Sequence, residues 1–544
     1  MADPHGSYRD LVHRHNEEID TLLEMGVYKP VFLYQVILFN LLPLIGLLIP
    51  CSAARYGRPV IFALCLGFVV EVLRHRRALL GGNGYMIGLM AAWLLVWSAA
   101  LLVFTDVEND FQRIERGAAA DEPRRDMDQA GKGAQQSRAF TDKSNLVNTT
   151  HASPSASSRQ ATSTASADNH EHEKFHWQSY PRNFTHRLDW CAGLLFNLRG
   201  PEWNWRPPRL GPLPRSVHTQ LRSGFDSDEL RAHDDAAYMT AKDRLRAAFW
   251  NCFKGYILLD ALKVFMMRDP YFRGIVASEI PPPFPFSCFA SYPLLIRFYH
   301  CFFSCMGVYV ALVFVTSFNP ICFLGLSLAF PKASRRLTRA PLDASWLYAD
   351  SFGPFLSAVL DHGLAGCWGR WWHQLFRYGF TTAARWILSW LPTRWATNLR
   401  VKRITHIVIA FALSGFVHAC GSHTQFTNTH PFSGPFLFFS LQSVAIILEN
   451  IFKTAIFPKL PLANTPRWLR RTANAVFVFL WLFYSGAFIA DDFARGGLWL
   501  MEPVPFSLLR GLGLAYDKGW RCWDKPWFRY WSDGTYWGSG IRII

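Results

Sequence analysis

The sequence predicts an all-α, multi-pass integral membrane bundle of about eight or nine transmembrane helices. Three observations point there. Half of the 544 residues are apolar and 16% aromatic, while only 18% are charged, against about 25% in soluble proteins. The apolar residues gather in runs close to the ~20 residues that a helix needs to cross a bilayer core. Those runs also lack the alternation of a lipid-facing barrel strand, the other way to satisfy backbone polar groups in hydrocarbon. The composition excludes disorder throughout, and 11 scattered Cys exclude a disulfide scaffold.

Taken in order, the first thirty residues are polar and acidic, unlike a cleavable signal peptide. Runs 31–50 and 85–105 are full-length span candidates; 59–73 is shorter. Segment 106–182 breaks the pattern. Between 131 and 170 its only large apolar residues are Phe140, Leu146 and Val147, too few to offset the chain entropy, so disorder is expected there. It holds the sequon at Asn148, and a second begins at Asn183; both matter only on a lumenal face. Span candidates resume at 248–267, 294–315, 404–420, 435–452 and 473–490. The short runs 59–73 and 321–330 read as tilted spans or re-entrant segments. Four regions follow: 1–105, the tail and first spans; 106–182, a disordered polar insert; 183–247, an interfacial segment; and 248–544, the main membrane domain.

Charge orients the second half. Segment 331–403 holds eleven Lys/Arg against Asp343, Asp350 and Asp361, and 453–472 holds five basic residues and no acid. Between them, 421–434 carries no Lys, Arg, Asp or Glu. The positive-inside rule puts the basic loops in the cytosol and the neutral one in the lumen. Those loops account for the net charge of +16 without any nucleic-acid partner.

Chemistry-bearing residues concentrate in two stretches. In 367–377, helical spacing of about 100° per residue lines Arg370, His373, Gln374 and Arg377 into one polar stripe opposite Trp368, Trp372, Leu375 and Phe376. Such a helix would lie at the membrane surface. It reads either as an interfacial anchor or as a cationic cradle for an anion such as the phosphates of an acyl-CoA. In 404–420, Ser414 and His418 lie one turn apart, and Gly415 and Ala419 invite a neighbouring helix to approach. An ionisable residue inside a span is costly, and imidazole suits general-base work; a structural histidine at a helix end is the alternative.

Together these stretches carry a resemblance. Trp368-Gly-Arg-Trp-Trp-His-Gln resembles the Trp-Gly-Arg-Arg-Trp-His-Gln signature of wax-synthase-like enzymes, and Ser414-Gly-Phe-Val-His418 is similar to their downstream Ser-Gly/Ala-x-x-His helix. These enzymes are related to the membrane-bound O-acyltransferases, multi-pass proteins of the endoplasmic reticulum. Arg199-Gly-Pro-Glu-Trp-Asn-Trp205 and Gly497-Leu-Trp-Leu, with Pro503 and Pro505-Phe-Ser, resemble stretches of fungal members, many of which acetylate terpenoid or meroterpenoid hydroxyls. The resemblance runs roughly from Arg187 to the end. It departs at Trp371, which stands where the signature has its second Arg, and the polar insert has no counterpart.

The resemblance implies a membrane-bound O-acyltransferase fold and transfer of an acyl group, most readily acetyl from acetyl-CoA, to a hydrophobic alcohol within the lipid bilayer. It implies His418 as the base, with His373 steadying the thioester. Arg370, Arg377 and Gln374 would then contact the CoA, with Ser414 and Asn450 as further polar contacts. No bound cofactor or metal is expected. A long-chain wax-ester synthase is the nearest enzymatic alternative, and a transporter or scaffold the alternative of another class. His15 to Asp20 fits a His-x4-Asp pattern but stands far from any other motif. Asp260 with Lys263, and Glu449 with Lys453, read as structural pairs, the latter at the surface. No zinc spacing, phosphate loop or Gly-x-Ser-x-Gly motif occurs.

Overall fold

A computed structural model describes residues 8–52, 56–117, 174–223, 238–276, 281–459, 465–515, 519–523 and 526–544. An amphipathic helix α1 (Tyr8–Glu24) precedes a short strand β1 (Lys29–Phe32). Three apolar helices follow: α2 (Leu33–Leu48), α3 (Gly57–His75) and α4 (Tyr85–Ala99), the last extended by a π-turn at Ala100–Phe104. They pack around Phe39, Cys65, Val69, Val72 and Ala91.

Among the described residues, five helical stretches are long and apolar enough to cross a membrane: Tyr85–Phe104, Pro293–Ala329, Leu399–His423, Phe432–Lys459 and Arg467–Arg495. The chain is thus a helical, multi-pass membrane protein. Three more expected spans are helices as well, but Leu33–Leu48 is short. Helix α3 carries Arg58, Glu71 and Arg74, and α5 (Ala241–Met266) carries Lys254, Asp260 and Lys263. The run at 321–330 is neither a separate span nor a re-entrant segment. Helix α6 (Pro293–Asn319) passes through a π-turn at Pro320–Leu324 into Gly325–Ala329. Pro320 has no N–H to give the helix ladder, and the wider turn absorbs the lost bond.

Helix α4 is the central post: 72% of its apolar window is buried inside the protein, against 22% for Pro293–Ala329. Its Trp93 and Trp97 enter an aromatic core with Trp190, Trp203 and Phe111. Trp190 comes from α7 (Phe184–Leu195), whose N-terminus is capped by Asn183 accepting from the amides of Thr185 and His186. That sequon asparagine therefore already has a local task.

The ends of the polar insert are ordered. Strands β2 (Arg113–Arg116) and β3 (Phe175–Gln178) pair antiparallel, and Arg113 is buried between Glu115 and Asp189. The expectation of disorder for 131–170, and the sequon at Asn148, lie outside the described residues. At the other end of the molecule β1 pairs antiparallel with β5 (Ser539–Ile543), which pairs with β4 (Phe528–Ser532). Asp20 of α1 holds Arg542 at 2.5 Å. The two ends of the chain thus form one base. Arg76 and Arg77 are buried there, with Arg76 donating to the Pro30 carbonyl.

Asp260 and Lys263 go to backbone partners: Asp260 accepts from Leu509 N, and Lys263 donates to the carbonyls of Trp499 and Leu500. Glu449 does pair with Lys453 at 2.9 Å, but its carboxylate is buried, which corrects the expected surface pair.

Candidate active site

A cavity of about 1600 Å³ runs through the helix bundle, and both His373 and His418 line it. Single small-molecule sites usually occupy 300–1,000 Å³, so the space suffices for two reactants. Its wall is largely aliphatic and aromatic. The described charged residues on it are Arg199, Glu202, Arg244, Lys263 and Asp350.

His418 sits in the last third of α8 (Leu399–His423). Its Nδ1 lies 2.5 Å from the phenol oxygen of Tyr85, and its ring stacks on Phe439 at 4.6 Å. Nε2 has no protein hydrogen-bond partner among the described residues and is open to the cavity. The close approach invited by Gly415 occurs: a Cβ there would meet Phe436 at 3.1 Å. Ser414 does not line the cavity and does not orient the ring, since Tyr85 occupies Nδ1.

The segment 367–377 is not one helix. After α9 (Phe355–Gly366) a π-turn covers Cys367–Trp371, Trp372 is extended (ψ 148°), and a new helix α10 (Arg377–Ser389) begins at Arg377. The reason lies outside the segment. Glu449, more than seventy residues on, accepts from the amides of Leu364 (3.1 Å) and Ala365 (2.9 Å) and pins a kink at Gly363. Gly363 has φ +68°, and a Cβ there would stand 1.9 Å from the Glu449 carboxylate, so only glycine fits. The Trp372 carbonyl is taken by Arg209 (3.1 Å) and by Gln374 (2.9 Å).

This break dissolves the predicted polar stripe. Trp368 and Trp372, expected in the membrane interface, turn inward onto the cavity, and the Trp368 indole donates to Gln442. Gln374 spends its amide on the Trp368 and Trp372 carbonyls and accepts from Arg377. Arg370 and Arg377 are exposed and, like Gln374, do not line the cavity. Asn450 also lies off it, bonded to the Ile446 carbonyl.

His373 is enclosed by Phe352, Trp372 and Phe376, and its Nδ1 is buried without a protein partner. Burial, then the nearby His418, Arg199 and Arg209, push its pKa down to about 3. The ring is neutral at physiological pH.

The cationic groups that do reach the cavity come from elsewhere. Arg199 donates to the carbonyls of Ala349 (2.6 Å) and Asp350 (2.8 Å), and Arg244 pairs with the Asp350 carboxylate at 2.8 Å. Burial, with Arg209 and Arg244 close by, lowers the Arg199 pKa to about 10. Arg199 and Arg244 make that end of the cavity positive, while Arg209, off the cavity wall, holds the Ser351 and Trp372 carbonyls. Arg199 had a sequence signal, the Arg-Gly-Pro-Glu-Trp-Asn-Trp stretch. Gly200 lies under the Trp205 ring, Trp203 is buried against Trp190, and Arg199 is thereby aimed at the loop. Arg244 had none, being one basic residue among several on α5.

Tyr85 was also unforeseen. Its signal is the preceding Gly81-Gly82-Asn83-Gly84, four consecutive residues at positive φ. Only glycine and asparagine adopt such a run readily.

Residues 348–441, which include both histidines, match the membrane bound O-acyl transferase family. The chain is 31% identical over 116 residues to the O-Mevalon transferase macI of Penicillium terrestre, covering 20% of this chain and 27% of that one. It is 32% identical over 155 residues to the acetyltransferase eriL of Hericium erinaceus, covering 27% of this chain and 36% of that one. The alignments thus span about a third or less of the curated relatives. No solved structure matches the chain.

Proposed function

We propose that this chain, which carries the membrane bound O-acyl transferase match, is an O-acyltransferase of the endoplasmic reticulum membrane. It would move acetyl from acetyl-CoA to a hydroxyl of a hydrophobic terpenoid or meroterpenoid. The observation that carries the reading is the shared cavity: two histidines on one apolar wall, an open Nε2 on His418, and two arginines, Arg199 and Arg244, at one end. Acetyl as the group moved is supported by the sequence resemblance and by the name of the Hericium relative, an acetyltransferase; the terpenoid acceptor is supported by the resemblance alone.

In this mechanism the CoA phosphates meet Arg199 and Arg244, and the pantetheine arm leads the thioester inward. The alcohol enters through the apolar part of the cavity. His418 Nε2 takes the hydroxyl proton as the oxygen attacks the thioester carbonyl. The tetrahedral intermediate collapses, the C–S bond breaks, and the imidazolium returns its proton to the CoA sulfur. Neutral His373 supplies a hydrogen bond to the thioester side rather than a charge. No acyl-enzyme is invoked: among the described residues no Cys or Ser is hydrogen-bonded to either histidine.

A longer acyl chain is the second reading, favoured by cavity volume beyond what acetyl requires, with Phe298, Phe302 and Phe479 along its wall. Microsomes offered radiolabelled acetyl-CoA and palmitoyl-CoA with a panel of terpenoid alcohols separate the two. His418→Ala should lower acyl transfer by about 10²–10⁴-fold at unchanged abundance. Undiminished turnover in that variant would remove His418 from the mechanism.

A further inference from the structure

A neutral imidazole carries one proton on two nitrogens, so the partner of one nitrogen decides what the other can do. Among the described residues the one hydrogen-bond partner of the His418 ring is the Tyr85 phenol, 2.5 Å from Nδ1. Nε2 faces the cavity. If the phenol donates, Nδ1 is bare, Nε2 carries the proton, and the ring can only donate to whatever the cavity holds. If the phenol oxygen accepts from Nδ1–H, the Nε2 lone pair is free to take a proton. After that transfer the imidazolium donates from both nitrogens, and only an acceptor at Nδ1 is then tolerated.

The fold holds Tyr85 firmly in this position. It is the first residue of α4, buried, with its ring edge-on to Phe493. One turn on, Gly88 faces α8 so closely that a Cβ would meet the Cys420 carbonyl oxygen at 2.0 Å. Thr424 Oγ1 accepts from Gly88 N and donates to Gly84 O, tying the start of α4 to the helix that bears His418. Tyr85 lies outside the stretch 348–441 that matches the family.

We propose that Tyr85 is the positioning residue of the base: its oxygen accepts Nδ1–H of His418 in both protonation states, fixing Nε2 as the nitrogen that takes the alcohol proton. The phenol's own hydrogen turns into the cavity, which Tyr85 also lines. The phenol is a neutral acceptor, so it orients the ring without trapping the proton that must return to the CoA sulfur. This inference rests on the reading of His418 as the base.

The test measures kcat and KM for acetyl-CoA in microsomes containing wild type, Tyr85→Phe and His418→Ala. It adds the full-length protein with 3-fluorotyrosine placed at position 85. Tyr85→Phe keeps the ring and removes the oxygen, so kcat should fall about 10- to 100-fold, the cost of leaving a charged donor without its acceptor, while KM stays close to wild type. Fluorination weakens the oxygen as an acceptor and strengthens it as a donor at almost unchanged size. It should lower kcat; an unchanged or faster rate overturns the proposal. So does a Tyr85→Phe enzyme with wild-type kcat, or one in which only KM moves. An inactive His418→Ala beside a fully active Tyr85→Phe rejects this inference alone, whereas an active His418→Ala rejects the base assignment beneath it. Should Tyr85→Phe fail to accumulate, the fluorotyrosine rate decides.

Discussion

Arg244→Ala should raise the KM for acetyl-CoA while leaving kcat near wild type. Arg244 lines the cavity and, among the described residues, makes one ion pair, to Asp350, at 2.8 Å. The Asp350 side chain is 65% exposed, so the pair itself contributes at most about 1 kcal/mol to the fold. A phosphate at about 5 Å from the guanidinium gains roughly 1 kcal/mol in a water-like dielectric and about 3 kcal/mol at an effective value of 20. The exposure of Asp350 beside it favours the lower half of that range, about 1–2 kcal/mol, or about a 5- to 30-fold rise in KM. The variant also leaves the Asp350 carboxylate uncompensated beside the phosphates, which pushes the same way. Asp350→Asn should therefore lower KM, and added salt should shrink both effects, since the screening length is about 8 Å at physiological ionic strength. The assay is initial-rate acetyl transfer in microsomes with acetyl-CoA and, in parallel, S-acetylpantetheine, which lacks the nucleotide phosphates. Only the acetyl-CoA KM should respond to Arg244→Ala, and Arg370→Ala should change neither. Equal loss with both donors, or a larger effect at Arg370 than at Arg244, would refute the assignment of the mouth.

Three further outcomes are expected. Glu449→Ala strips the acceptor from the buried amides of Leu364 and Ala365 and should cost roughly 2–5 kcal/mol, read as faster thermal inactivation in detergent, with Glu449→Gln in between. Gly88→Ala forces a Cβ against the Cys420 carbonyl and should destabilise by ~3 kcal/mol or more. Gly67→Ala, where nothing lies within 4 Å, should be neutral or slightly stabilising; equal effects at the two sites would contradict the α4–α8 contact. The His373 pKa is about 3 in the fold against about 6.5 unfolded, so between those values the unfolded chain binds the extra proton. Its contribution to stability is full above pH 6.5 and falls as pH drops toward 3, by at most ~1.4 kcal/mol per pH unit. His373→Gln should flatten that part of the inactivation-versus-pH curve.

The sequence itself settled what depends on near neighbours along the chain. Runs of apolar residues became helices because span length and backbone satisfaction are local demands, and His418 fell inside such a helix. His373 and His418 were also legible as a pair, through their motifs. Local spacing misled at 367–377, where a 100° rotation per residue put Arg370, His373, Gln374 and Arg377 on one face. The chain leaves helical geometry there at Trp372, whose carbonyl Arg209 takes, and Glu449 kinks the preceding helix at Gly363; both residues arrive from distant parts of the chain. Arg199, Arg244 and Tyr85 line the cavity, whereas Arg370, Arg377 and Ser414 do not.

Which helices touch, and therefore which side chains share a cavity, was decided only in three dimensions. The approach of α4 to α8 turns on the missing Cβ of Gly88, and the aim of Arg199 on a glycine beneath the Trp205 ring. Both are contacts of a few ångströms between residues far apart in sequence, and periodicity along one helix carries no information about the surface it will meet.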